Sequence, residues 1–562
     1  MAEHDVHGDA LAFDLTVRPW IPVLRCDGRV DELSLGDVFA QAGDLRRIVG
    51  DVPTQEFALV RLLLAIAHDA LDGPEDTDAW SELWGNPACF VPVGGYLEAH
   101  RGRFDLLHDQ VPFFQTAGLR TAKDEVFSLN RIVADVPNGE PFFSARLPDV
   151  ERLSFAEAAR WVVHAHAYDT SGIKTGVVGD ARAKQGKVYP LGVGWAGCLG
   201  GVFVEGATLR ETLLLNLVAA DSDPDPADGG GDDVPAWRLP ACGPGGTERA
   251  PTGVRDLYTW QTRRLRLCCD ADGVHGVVLG YGDPLSPRNR HPLEPMSAWR
   301  RSLAQERKLG TVPVYLPREH DPERAAWRGI ASLVAGQALP VDGAEPAAYL
   351  RPGILEWVAR LVTERELEGG FMVRARLIGP VYGTQQSVID DIVDDQVAMA
   401  VVLLHRQDRR FAEQAVAAVA DADAAVNAVA DLATNLARAA GSDGEGPRAT
   451  ARHSAYGLLE GPYRTWLARL AEADDPYVRR TAWQSEVHRI AGGLGDRLMA
   501  EAGDAAWQGR TVAVKKGTEW LNTALAGKWF RAALHRALGR PGTDAVDTAP
   551  DAAPETPAEA PA

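Results

Sequence analysis

Apolar residues recur along this chain in two rhythms. Through about the first 360 positions the rhythm keeps changing. In residues 13–23, Pro19 and Pro22 flank the pair Trp20-Ile21, and Asp27-Gly28 follows. That pattern predicts a buried N-terminal edge strand, a rigid corner and a hairpin turn. Phe57, Val60, Leu63, Leu64 and Ala67 then fall at helical spacing, with Thr54 as the cap and Glu56 close behind it. Residues 78–83 and 209–217 read as shorter helices, and Phe155, Ala158, Trp161, Val162 and Ala165 mark another helical face. Between residues 256 and 279 the rhythm alternates through Leu257, Leu265, Leu267, Val274 and Val277, which predicts antiparallel strands. Residues 299–310 read as a short basic helix or turn.

From about residue 320 one rhythm dominates. Segments 322–338, 353–367, 388–404, 411–440, 448–473, 477–502 and 517–538 carry helical spacing, with much Ala and Arg and short turns. The predicted class is α+β. A large mixed N-terminal domain over residues 1–365 precedes a C-terminal four-helix bundle over 366–540. The acidic Ala/Pro tail, 541–562, is expected to be disordered.

Stretches without rhythm hold the candidate contacts. Residues 130–143, from Asn130-Arg131 to the Pro137-Asn138-Gly139-Glu140 turn, read as a long exposed loop. Ser171-Gly172-Ile173-Lys174 is a flexible turn that can bring backbone amides and one ammonium to a phosphate or a groove, or simply be a surface loop. Arg288-Asn289-Arg290, bounded by prolines, offers phosphate and base-edge donors, or is a solvated turn. Gln385-Gln386 follows Gly383 and is expected to open the first bundle helix. Thr384 or Ser387 is its candidate N-cap, and the two glutamines could act as a wedge beside a base pair.

Composition narrows the field. A chain of 562 residues exceeds one core and predicts two or more domains. No apolar run reaches eighteen residues, so no membrane span is expected, and the acidic N-terminus argues against a secretory leader; a cytoplasmic protein is expected. The six cysteines form no CxxC pair and read as scattered buried thiols. The net charge of −20 argues against nucleic acid at first sight. Much of it is concentrated, however, in Asp221, Asp223, Asp225, Asp228, Asp232 and Asp233 and in the tail, which leaves other segments locally basic, such as Arg406, Arg409 and Arg410 or Lys515, Lys516, Lys528 and Arg531. The phosphate-loop, nucleophile-elbow and HExxH signatures are absent. His164 and His166 sit about 200° apart on a helix and cannot share a metal. Asp390-Asp391 and Asp394-Asp395 suit either magnesium or a helix start.

The Pro-Trp-Ile-Pro start, the helix through Leu59-Val60-Arg61-Leu62-Leu63 and the element Pro112-Phe113-Phe114-Gln115 occur in an order that resembles one family. It is the CasA-type large subunit of the type I-E CRISPR surveillance complex, Cascade, and the resemblance extends over about residues 13–540. It implies a non-catalytic subunit that recognises the protospacer-adjacent motif (PAM) in double-stranded DNA and starts R-loop formation. Ser171, Gly172, Ile173 and Lys174 resemble the family's minor-groove loop, and Arg288, Asn289 and Arg290 its basic PAM turn. Gln385 and Gln386 resemble its wedge; Asn130, Arg131, Asn138, Gly139 and Glu140 resemble the loop that approaches the crRNA 5′ handle and the PAM. The implied partners are other Cascade subunits with crRNA, double-stranded target DNA and a helicase-nuclease effector. No cofactor and no metal are implied, because the fuller cysteine cluster of some relatives is missing here. Two other classes compete: a metal-dependent nuclease using Asp390, Asp391 and Asp394, and a purely structural adaptor of a ribonucleoprotein.

Overall fold

Trp20 is fully buried and donates its indole N–H to the Leu15 carbonyl at 3.1 Å, which fixes the corner between two prolines. The strand after it, Ile21–Arg25, lies in the middle of a three-stranded antiparallel sheet, between Val30–Leu33 and Leu45–Ile48, and not at an edge. Pro22 is tolerated there because pairing with the third strand begins only at Val23. This is a computed structural model, and it describes residues 11–134, 136, 149–222, 232–334, 346–405, 408–514 and 517–539.

The helix Pro53–Leu71 is buried along almost its whole length. It packs against the helices Phe155–Tyr168 and Val254–Tyr258. Its cap differs from expectation: Val52 holds the N-cap position, and the Thr54 hydroxyl is instead hydrogen-bonded to His164 Nε2 at 2.9 Å. Arg61, the one charge in the apolar run, makes a two-pronged ion pair with Glu294 at 2.8 and 2.9 Å, and Trp195 donates its indole N–H to the same carboxylate. Both charges are buried, so removing one partner would cost about 3–5 kcal/mol. Helix Phe155–Tyr168 starts with a reciprocal Ser154/Glu157 capping box, and its two histidines are core residues.

Asp221 pairs with Arg360 at 2.7 Å, and Asp233 accepts the Arg255 and Asp256 amides at the start of Val254–Tyr258. These two members of the acidic stretch are therefore structural. Of the six thiols expected to be buried, only Cys89 is; Cys26 is exposed, and Cys198, Cys242, Cys268 and Cys269 are half-buried. Residues 299–310 form a strand, Trp299–Arg301, followed by a helix, Leu303–Leu309.

The largest departure is at 388–404. This segment is a strand, Ile389–Ala400, paired antiparallel with Met372–Tyr382 over the full length of a long hairpin. Met372–Tyr382 also pairs with Gly201–Val204, so sheet pairing outweighs the helical spacing. Neighbouring carboxylates therefore diverge. Asp394 takes both prongs of Arg376 at 2.9 Å, and Asp395 accepts the Ala326 amide at 2.7 Å. The helix start offered for these aspartates is therefore absent, and among the described residues no three metal-ligating side chains cluster. The hairpin also moves the boundary between compact units to 412/413, later than the expected 365/366.

In the second unit, Arg410–Ala440, Glu445–Ala468, Pro476–Ala500 and Thr523–Leu538 are the four long helices. Trp483 and Tyr463 are buried among the alanines of the first, donating to the Ala418 and Ala415 carbonyls at 2.9 and 3.0 Å. The segment expected to be helical from 517 first forms a strand, Gly517–Leu521, and Asn522 then caps the last helix. Among the described residues no helix is long and apolar enough to cross a membrane. The tail, 541–562, and Arg406, Lys515 and Lys516 lie outside them.

Candidate nucleic-acid interface

Helix Phe155–Tyr168 ends at Asp169, whose buried carboxylate organises the next turn. It pairs with Lys174 Nζ at 2.8 Å and with Arg263 Nε. Arg263 also donates to the Asp169, Thr170 and Gly192 carbonyls at 2.9, 3.1 and 3.1 Å. Burial pushes the Asp169 carboxyl up, but the two cations outweigh it and the net displacement is downward. Burial pushes the Lys174 ammonium down, and the Asp169 carboxylate, opposed by the Arg263 and Arg131 cations, does not restore it. The Lys174 ammonium is thus held inside the loop, with only 10% of its side chain exposed.

The start of the turn is pinned twice more. The Tyr281 hydroxyl donates to the Gly172 carbonyl at 2.8 Å. The Ser171 amide donates to the Gln386 carbonyl at 2.7 Å. This bond joins 171–174 to the tip of the long hairpin, so Gln385 and Gln386 occupy a hairpin turn and do not open a bundle helix. Tyr382, at the end of its strand, reinforces the junction by donating to the Tyr168 carbonyl at 2.7 Å.

The tip is strained. Gln385 and Gln386 have φ of 56° and 54°, consecutive left-handed positions that cost about 1–2 kcal/mol each for a residue with a Cβ. Backbone bonds hold them there: Gln386 N–H to Gly383 O at 2.9 Å and Gly383 N–H to Val388 O at 3.0 Å. Gln385 is exposed and Gln386 half-buried, and among the described residues neither side-chain amide has a hydrogen-bond partner. They are rigidly carried and chemically unused.

The 130–131 end of the long loop meets the same place. Asn130 donates to Asp149 Oδ1 at 2.8 Å and accepts the Val150 amide at 2.9 Å, tying the exit of that loop to its re-entry. Arg131 stacks over Phe127 at 3.6 Å and donates to Thr175 Oγ1 at 2.9 Å, just beyond Lys174. Asn138, Gly139 and Glu140 lie outside the described residues.

A family model for CRISPR-associated protein Cse1 matches residues 14–494 of the chain. The chain belongs to the Cse1 family. A curated relative from Thermus thermophilus, CRISPR-associated protein CasA/Cse1, is 30% identical over 400 residues, covering 68% of this chain and 70% of that protein. The crystal structure of Thermobifida fusca Cse1 is 56% identical with a TM-score of 0.85, covering 94% of this chain and 99% of that one. One chain of a CRISPR RNA-guided surveillance complex shares the fold at 19% identity and a TM-score of 0.58, over 87% of this chain and 98% of that one.

In this Cse1-family chain the basic turn is less free than its composition suggests. Asn289, at φ 53°, donates to the Pro313 carbonyl at 3.2 Å and accepts the Tyr315 amide at 2.7 Å, which makes it a structural clip. Arg290 is half-buried, and Arg288 is exposed against Ser286. Pro287, next to Arg288, shares the lining of a cavity of about 240 Å³ with Gln386, Arg263, Tyr281 and Arg300. Sequence reasoning missed Asp169, Arg263, Tyr281 and Tyr382. The one available signal was Arg263-Arg264 opening a strand that carries Leu265 and Leu267 in alternation, where a buried cation needs an internal partner.

Proposed function

We infer that this Cse1-family chain is the non-catalytic large subunit of a type I-E CRISPR surveillance complex, and that it reads the PAM and starts opening the DNA duplex. One observation carries the reading: the Ser171–Gln386 bond makes the small-residue turn and the glutamine tip a single rigid body. Ser171, Gly172 and Ile173 would approach the minor groove, whose pattern is degenerate, with Arg288 contacting a neighbouring phosphate. Gln386 and Gln385 would enter beside the first base pair. Unstacking costs a few kcal/mol, which guide pairing recovers as the heteroduplex grows. Because the strained tip is already held in place, no ordering of the wedge is required on binding. Lys174 acts indirectly, by holding the turn through Asp169. Asn130, Arg131 and the 138–140 turn would face the crRNA handle. The opened DNA would then be handed to a helicase-nuclease docked on the same subunit.

Gly172 gives a direct test. A Cβ added there meets no atom of the chain within 4 Å, so a side chain at 172 starts into open space, and Gly172→Val adds bulk in front of the turn. The assembled complex carrying Gly172→Val should bind PAM-flanked duplex at least about tenfold more weakly than wild type, with complex formation unchanged. Unaltered binding would refute minor-groove reading by this turn.

A further inference from the structure

The two short strands around the candidate turn, Lys174–Thr175 and Lys187–Val188, form a ribbon with one outward face. Their register pairs Lys174 with Val188 and Thr175 with Lys187. Lys174 and Val188 point inward: one is held by Asp169, the other is 2% exposed. Strand alternation therefore places Thr175 and Lys187 on the outer face. Continuing the register by one residue puts Ile173 opposite Tyr189 on that same face. Their exposures agree, at 56% and 67%. An isoleucine and a tyrosine side by side in water need a reason.

The surroundings indicate the partner. Lys187 and Lys184 are exposed, and among the described residues neither makes an ion pair. Arg131 reaches the outer face through Thr175. Past Tyr189, Pro190 and Leu191 lead into the cavity that Gln386 lines. Pro190 also restricts Tyr189 to an extended backbone, which fixes the direction of the ring's stem. An aromatic ring and a branched apolar side chain, flanked by unpaired cations and continuous with a duplex-opening wedge, match nucleic acid at the point where its bases unstack.

We propose that the outer face of this ribbon is a base-stacking site, with Tyr189 stacking on the base exposed when the first pair beside the PAM opens and Ile173 supporting it. The inference rests on the DNA-reading assignment above and adds a residue and a mode of contact to it. Tyr189 acts by stacking, so its hydroxyl is dispensable.

The test uses the assembled complex with crRNA. The probes are duplexes with randomised flanks, and duplexes carrying 2-aminopurine at the first protospacer pair, in each strand in turn. Tyr189→Ala should bind flank-selected duplexes about tenfold more weakly and give brighter 2-aminopurine in one strand, because the stacked quencher is gone. Tyr189→Phe should behave as wild type on both readouts. Binding and fluorescence of Tyr189→Ala equal to wild type would overturn the proposal. So would loss of Tyr189→Ala from the complex on size-exclusion chromatography, since the face would then be a protein dock. A wild-type complex that opens none of the duplexes would sink the DNA reading itself, an outcome distinct from failure of Tyr189 alone.

Discussion

Lys174 gives its ammonium to Asp169, and that single pairing changes what the residue can do. A cation in a glycine-containing turn reads as a phosphate contact; buried beside a carboxylate and a second cation, it sets loop geometry instead. His164 and His166 are the parallel case. Burial pushes both down to about 3 from the ordinary histidine value. The unfolded chain therefore takes up protons between about pH 6.5 and 3 that the folded chain excludes. Their contribution is fully present above about pH 6.5 and lost as pH falls toward 3. At pH 5 each should have lost about 2 kcal/mol. Urea unfolding of the N-terminal unit at pH 7.5 and pH 5 should show this fall. Replacing His166 with Gln should remove about 2 kcal/mol of that fall; His164, with His68, His291 and His320, which burial also lowers, carries the rest, and an unchanged dependence would contradict the neutral assignment.

At the scale of elements, the long hairpin matters most, and its tip makes the sharpest prediction. Gln385 holds a left-handed backbone that glycine adopts without penalty. Gln385→Gly should therefore stabilise the N-terminal unit by about 1 kcal/mol in urea unfolding while weakening duplex opening. A destabilised variant would mean that the strain is not real. The hairpin was also the least legible element. Val388, Ile392, Val393, Val397 and Met399 can be laid on a helix, and only the partner strand Met372–Tyr382 decides otherwise, a non-local fact. The helix Phe155–Tyr168 and the alternating pair Arg263–Asp270 and Gly273–Tyr281 were legible because their signals are local. The candidate turns were visible as breaks in periodicity. Their meeting was not, because the Ser171–Gln386 bond spans two segments that share no local pattern.

For the whole molecule, the α+β class and the terminal helices follow from periodicity, whereas the boundary between units does not. It moved to 412/413 because strand Met372–Tyr382 is claimed by Gly201–Val204, deep in the N-terminal unit. That unit is cross-linked over long sequence distances by Arg61–Glu294 and Arg376–Glu56, so the 171–174 turn and the glutamine tip stand on one support. The central claim is that this support carries a wedge which opens DNA. The most direct measurement is the affinity of complexes containing wild type or Gln386→Ala for two targets, a full duplex and the same sequence with the first pairs beside the PAM mismatched open. The account predicts weak binding of the Gln386→Ala complex to the duplex and recovery to wild-type affinity on the pre-opened target. An equal defect on both targets, or none on either, would contradict it.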